Sequence, residues 1–171
     1  KRRRSALVLS HHPLGARGEL GPDHTAIECL KKGLRFGFVA ASDSHGLLFH
    51  HGIGRKRDPF GSGLTGVIAG RLGRDEVLRA IRTRRCYATS GSRIVLSMRV
   101  DDQPMGSVLA APPGKPVLVE VEVQAPALIV RVEAVGATGV VAAEEPRNNL
   151  ARLRWRIDPK GTFVYVRVTL E

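Results

Sequence analysis

Phe36-Gly37-Phe38-Val39-Ala40-Ala41-Ser42-Asp43-Ser44-His45 is the stretch on which the fold turns. Its first six residues are apolar or small, the composition of a buried strand, and the run ends in a carboxylate and an imidazole. Side chains on an extended chain alternate sides with period two, so Asp43 and His45 project to the same side and can grip one cation. The tetrapeptide also has a plain reading, in which Asp43 caps a turn through backbone hydrogen bonds and His45 is a loop residue. The surrounding sequence has to choose between them.

Upstream, residues 6–9 (Ala-Leu-Val-Leu) read as another core strand, followed by a loop with Pro13 and a helix over 25–32. Thr25 and Glu28 have the capping-box spacing, and Gly33 supplies the stop. Downstream of His45, a Gly-rich connection of roughly twenty residues runs to Gly63, well beyond the usual ~4–6 and therefore a candidate functional loop. Residues 65–69 read as a strand. Asp75 and Glu76 then open a helix whose Val77, Leu78 and Ile81 share one face, with Arg82, Arg84 and Arg85 complementing its C-terminal dipole. This alternation is α/β grammar and predicts a parallel sheet or barrel.

After Gly91 the period changes to two. Ile94, Leu96, Met98 and Val100 alternate with polar or small residues, as do Val117, Val119, Val121 and Val123, and again Leu153, Trp155 and Ile157. With 128–135 and 163–170 added, about five strands separated by turn signals predict a small antiparallel β-sandwich. The expected class is α/β followed by all-β, with an α/β domain over 1–91 and a β-sandwich domain over 92–171.

The formal charge of +11 is unevenly spread, with 17 Lys/Arg against 7 Asp/Glu up to Ser92 and 10 against 9 afterwards. Such a field suits an anionic substrate. Nucleic acid is a poor fit, since the cationic residues are scattered and few aromatic residues are available to stack bases. No apolar run approaches the ~20 residues of a membrane span, and the basic start at Lys1–Arg4 is followed by too short an apolar stretch for a signal peptide. Cys29 and Cys86 form no short-spaced motif and are expected to be reduced thiols in a cytoplasmic chain.

The six histidines fall at His11-His12, His24, His45 and His50-His51. His11 and His12 also stand where an expected strand runs out into a loop, so they are candidates to face Asp43 and His45 across one rim. A mixed imidazole and carboxylate set suits Zn, Mn or Fe, and such ions make water a competent nucleophile near neutral pH. His24 opens a helix and is expected to face solvent, whereas His50 and His51, in the long loop, are candidates for substrate or ligand contacts. No Walker-type phosphate loop, nucleophile elbow or zinc-finger spacing is present, and no residue is assigned as a catalytic acid, base or nucleophile.

Three ordered motifs carry a family resemblance: residues 32–39 leading to Ser42-Asp43-Ser44-His45, then Gly63-Leu64-Thr65-Gly66-Val67, then residues 80–94, Ala-Ile-Arg-Thr-Arg-Arg-Cys-Tyr-Ala-Thr-Ser-Gly-Ser-Arg-Ile. Together they resemble the C-terminal part of PHP-type metallohydrolases, nearest the CehA/McbA-like branch. The resemblance implies a partial PHP-type β/α barrel with a two- or three-metal site that hydrolyses phosphoesters or related esters. It places Asp43 and His45 at the last ligand pair and His11 or His12 at an earlier ligand histidine. Arg84, Arg85 and Tyr87 match an Arg-Arg-x-Tyr element. That element either ties helix to strand or meets a substrate anion, the latter role falling to Arg85 and Tyr87. The family's early His-x-His motif is absent from this sequence, and the acidic ligand between His12 and Asp43 has no counterpart. The expected partners are therefore a small anionic or ester substrate and an N-terminal part of the same barrel carried upstream. The competing expectation is a non-catalytic module, built on a degenerate barrel remnant, that binds protein or carbohydrate.

Overall fold

The computed structural model describes residues 26–41, 63–110, 115–158 and 161–171. Helix α1 (Ala26–Lys31) leads into a stretch that reaches Ala41 and joins no ladder among the described residues. The chain continues with β1 (Leu64–Val67), α2 (Arg74–Arg82) and β2 (Cys86–Thr89). Six more strands follow: β3 (Val95–Val100), β4 (Gln103–Pro104), β5 (Val117–Gly136), β6 (Gly139–Glu144), β7 (Asn148–Ile157) and β8 (Val164–Leu170).

The architecture corrects the expected fold class. Every ladder among the described residues is antiparallel, no barrel closes, and strands far outweigh helices. β1 pairs with β2, Leu64 opposite Thr89 and Val67 opposite Cys86, so the chain that returns from α2 lies against the strand that preceded it. A β/α barrel would need parallel neighbours on both sides of such strands. The misreading has a simple cause. A four- to six-residue apolar run identifies a buried strand but carries no information about the direction of its neighbour.

β3 to β8 form one six-stranded sheet organised around β5, a strand of 20 residues. Its first half lies between β3 and β7, with Val119 opposite both Val100 and Trp155. Its second half lies between β6 and β8, with Ala134 opposite Ala142 and Val166. The sequence reading counts 117–123 and 128–135 as separate strands, and Pro126, which cannot donate to a ladder, lies between them. Instead the strand continues through Pro126 while its pairing with β7 shifts register between Gln124 and Ile129. A bulge of this kind absorbs a missing donor and bends the strand.

The alternation over 95–100, 117–124 and 151–157 does mark strands with one wet face. Leu96, Met98, Val100, Val117, Val119, Val121, Val123, Leu153, Trp155 and Ile157 form the core with Ile129 and Val132. The Trp155 indole N–H donates to Glu144 Oε1 at 2.8 Å, which ties β7 to the end of β6. On the outer face Arg152 meets Glu122 at 2.9 Å and Arg154 meets Glu120 at 2.8 Å, in register across β5 and β7. Exposed pairs of this kind contribute little stability, but a row of arginines on β7 discourages edge-to-edge association.

From Val132 to Gly136 both faces of β5 are buried. One consequence is Glu133, a buried carboxylate that accepts hydrogen bonds from Arg167 at 2.6 Å and Arg131 at 2.8 Å. The Arg167 hydrogen bond, followed by that of Arg131, holds its carboxyl below the ordinary range. The native state therefore binds the Glu133 proton less readily than the unfolded chain, whose glutamates titrate near ~4.3. Its stabilisation is complete above that value and is lost as the pH falls through the lower folded value. Glu133→Gln should cost about 1–2 kcal/mol at pH 7, on the scale of hydrogen bonds to charged groups discounted for two half-exposed guanidiniums. The difference between the proteins should shrink below about pH 4. Urea denaturation at pH 7 and pH 3 checks both statements, and an unchanged gap at pH 3 would contradict the linkage.

Candidate functional site

The geometry that bears on Asp43 and His45 is built by a threonine and a glycine at the start of β1. The Thr65 hydroxyl accepts a hydrogen bond from the Ala40 N–H at 2.9 Å and donates one to the Ala40 carbonyl at 2.8 Å. One side chain thus satisfies both backbone groups of a residue three positions before Asp43. Gly63 permits the close approach: a Cβ there would stand 2.9 Å from the Ala41 carbonyl oxygen and 3.0 Å from the Ala40 Cβ. The chain therefore leaves the described structure at Ala41 and re-enters it at Gly63 within contact distance. Both ends of the segment carrying Asp43, His45, His50 and His51 are fixed at one point on β1.

Asp43, His45, His50 and His51 themselves, and His11, His12 and His24, lie outside the described residues. The expected convergence of His11 or His12 with Asp43 falls outside them too. Among the described residues no group of three or more His, Cys, Asp or Glu side chains is placed to hold a metal ion.

The Arg-Arg-x-Tyr element is described in full. Arg84 sits in the left-handed region, φ 63°, at the turn that ends α2. From there its guanidinium donates from Nε and Nη2 to the Gly106 carbonyl at 3.0 and 2.6 Å. Gly106 is itself left-handed, φ 85°, and a Cβ on it would stand 2.2 Å from the Thr83 carbonyl oxygen. Tyr87 lays its ring against Gly66, where a Cβ would stand 2.2 Å from the ring, and donates its hydroxyl to the Ile94 carbonyl at 2.8 Å. Arg84 and Tyr87 thus weld the α2–β2 unit to the large sheet. Between them, Arg85 uses its backbone in bonds to Ala80 and Ile68 and leaves an exposed guanidinium without a partner among the described residues. Cys86 is buried, and desolvation pushes its thiol up, so it stays protonated and unreactive at neutral pH.

Gly63 and Thr65 belong to the Gly63–Val67 motif of the sequence reading, which did not give them their role against Ala40 and Ala41, and Gly106 was not singled out. The Gly63-Leu64-Thr65-Gly66 spacing was the available signal, since two glycines flanking a strand start mark close backbone approach. Gly106 follows Pro104-Met105, a turn signal of ordinary strength.

Similarity to other proteins is confined to part of the chain. A protein from Chlamydia trachomatis serovar D is 39% identical over 89 residues, which is 52% of this chain and 14% of that protein. A Chlamydia muridarum protein matches with the same identity and coverage, and one from Chlamydia pneumoniae is 36% identical over 106 residues, 62% of this chain and 17% of the relative. All three are described only as uncharacterized proteins, and the match spans less than a fifth of the length of each. No family model matches the chain, and no solved structure does. No helix among the described residues is long and apolar enough to cross a membrane.

Proposed function

We propose that this chain supplies the Asp43 and His45 end of a divalent-metal centre in a hydrolase of phosphoesters or related esters. The observation that supports this reading is the clamp at Ala40, Ala41, Gly63 and Thr65. The two ends of the stretch that the sequence gives as a connection of roughly twenty residues meet at Ala41 and Gly63, and connections of that length commonly carry function. The donor set of Asp43, His45 and His11 or His12 fits Zn, Mn or Fe by its mixture of imidazole and carboxylate. A bound ion would supply a water acidic enough to attack at neutral pH. In this reading Arg85, whose guanidinium is exposed and has no partner among the described residues, meets the anionic part of the substrate, whose phosphate or carboxylate geometry its fork matches. His50 and His51 are the loop's further candidates for substrate contact.

The test is calorimetric titration with Zn²⁺ and Mn²⁺. A catalytic zinc takes about three protein ligands and leaves a position for water, and this chain offers three at best. Binding should therefore be weak, hydrolysis of a generic phosphodiester should stay near background, and Asp43→Ala should abolish the binding. Metal uptake undiminished by Asp43→Ala would remove the site assignment. Strong metal-dependent turnover by this chain would contradict the ligand count.

A further inference from the structure

Residues 36–41 are held by three different strands. The Gly37 backbone lies against the turn into β2, where a Cβ would stand 2.6 Å from Cys86 Sγ and 3.2 Å from the Arg84 Cα. Ala40 is held by the Thr65 hydroxyl of β1, through both its N–H and its carbonyl. These two contacts come from the small unit of β1, α2 and β2. The third comes from the large sheet: the Tyr165 ring of β8 meets Phe38 at 5.3 Å, with the two planes tilted by 49°.

That contact is one link of an aromatic row. Phe36, which is buried, packs edge-on against Phe38 at 5.6 Å, and Tyr165 stacks on Phe163 at 6.3 Å. Tyr165 is itself placed by the sheet, since it pairs with Val135 of β5 in a stretch where both faces of that strand are buried. Its ring therefore cannot follow a shift of Phe38 without moving β8, and aromatic pairs favour particular ring orientations as well as apolar contact. Phe38 stands two residues ahead of Ala40, at most ~7 Å along the chain. A displacement at Phe38 is thus passed directly to the Thr65 hydrogen bonds.

We propose that Tyr165 is a positioning residue for the segment that carries Asp43 and His45: by holding Phe38 it fixes the chain at Ala40, three residues before Asp43. The large sheet is then part of the support of the site and not an appendage to it. The consequence for a metal rests on the function proposed above, whereas the hold on Ala40 is independent of it.

Hydrogen exchange of the full chain reads the hold directly. The Ala40 amide, bonded to Thr65, should exchange about tenfold faster in Tyr165→Ala, whereas Tyr165→Phe, which keeps the ring, should leave it within about twofold. The amides of Val119, Val121 and Val123 in β5 should be unchanged in both, which separates a lost hold from a loosened sheet. Phe38→Ala should reproduce the acceleration, and Tyr165→Ala added to it should contribute little more, as expected of two residues acting through one contact. Titration of the same proteins with Zn²⁺ reads the consequence. Affinity should be about fivefold lower in Tyr165→Ala, less than the loss of a direct outer-shell partner costs, and should be restored in Tyr165→Phe. An Ala40 amide indifferent to Tyr165→Ala, additive effects of the two alanines, or an unchanged Zn²⁺ affinity beside accelerated Ala40 exchange would overturn the proposal. If the unaltered chain binds no Zn²⁺, the metal reading fails, and the exchange results alone decide whether Tyr165 holds the segment.

Discussion

Trp155→Ala should destabilise the protein by about 3–5 kcal/mol, the range for emptying a large aromatic site in a packed core. Trp155 is 9% exposed, stands opposite Val119 in the middle of the sheet, and is surrounded by residues that cannot collapse into its space without moving a strand. Its indole bond to Glu144 is lost at the same time, which separates the ends of β6 and β7. Trp155→Phe restores most of the buried area without the donor and should cost far less, about 1 kcal/mol beyond the smaller ring. Urea denaturation followed by far-ultraviolet circular dichroism is the measurement, because the fluorescence probe disappears with the only tryptophan. A cost under 1 kcal/mol for the alanine variant would show that the core does not depend on this side chain.

Gly106→Ala should be nearly as damaging, at about 2–5 kcal/mol, although it adds a single methyl group. A left-handed residue other than glycine costs about 1–2 kcal/mol. The new Cβ would also stand 2.2 Å from the Thr83 carbonyl and 2.8 Å from the Arg84 carbonyl, both backbone atoms that cannot swing aside, and forced overpacking adds about 1–3 kcal/mol. The Arg84 guanidinium would lose its acceptor as Gly106 moves. The damage should concentrate at the weld between α2–β2 and the sheet. Exchange of the Ile68 and Arg85 amides should accelerate before that of the β5 core. Gly139→Ala is the matched control, because Gly139 is also left-handed, φ 114°, but has open space around it. Equal losses for the two variants would mean that conformation alone, and not the crowded junction, sets the cost.

How much of this was legible beforehand depends on which physical signal each element leaves in the sequence. Strands β3, β5 and β7 could be read because one face of each is wet, and Glu120, Glu122, Arg152 and Arg154 print that fact as alternation. Near Val132 the alternation fails, since both faces of β5 are covered and a charged residue, Glu133, is among those buried. β6 went unread for a related reason: its six residues, Gly-Val-Val-Ala-Ala-Glu, alternate in neither size nor polarity. The first half of the chain misled more seriously. Its apolar runs are real, but β1 finds its partner in β2 through a turn of helix rather than in a parallel neighbour, and short runs do not record direction. For the candidate site, the motif of Arg84 and Tyr87 was visible with two roles open, a tie between helix and strand or a contact to a substrate anion, and the hydrogen bonds of both side chains are those of the tie. Whether a guanidinium meets a substrate or a carbonyl such as that of Gly106 is decided by residues twenty positions away.

Strand β5 also governs how the sheet must come into being. β3, β6, β7 and β8 each hydrogen-bond to it, and contacts between any two of the others are few. The pairings join Val117 to Ile157 and Ile129 to Leu170, partners about forty residues apart. Loop closure on that scale must precede the reward of contact, so folding should be slow for the size of the sheet, milliseconds to seconds rather than microseconds. On a ribosome, a completed β5 has only β3 to pair with until β6, β7 and β8 emerge, and its second half remains an open template throughout that interval. The stretch most exposed to misassociation during synthesis is thus the one most deeply buried at the end, and slower translation through 139–170 would lengthen the hazard.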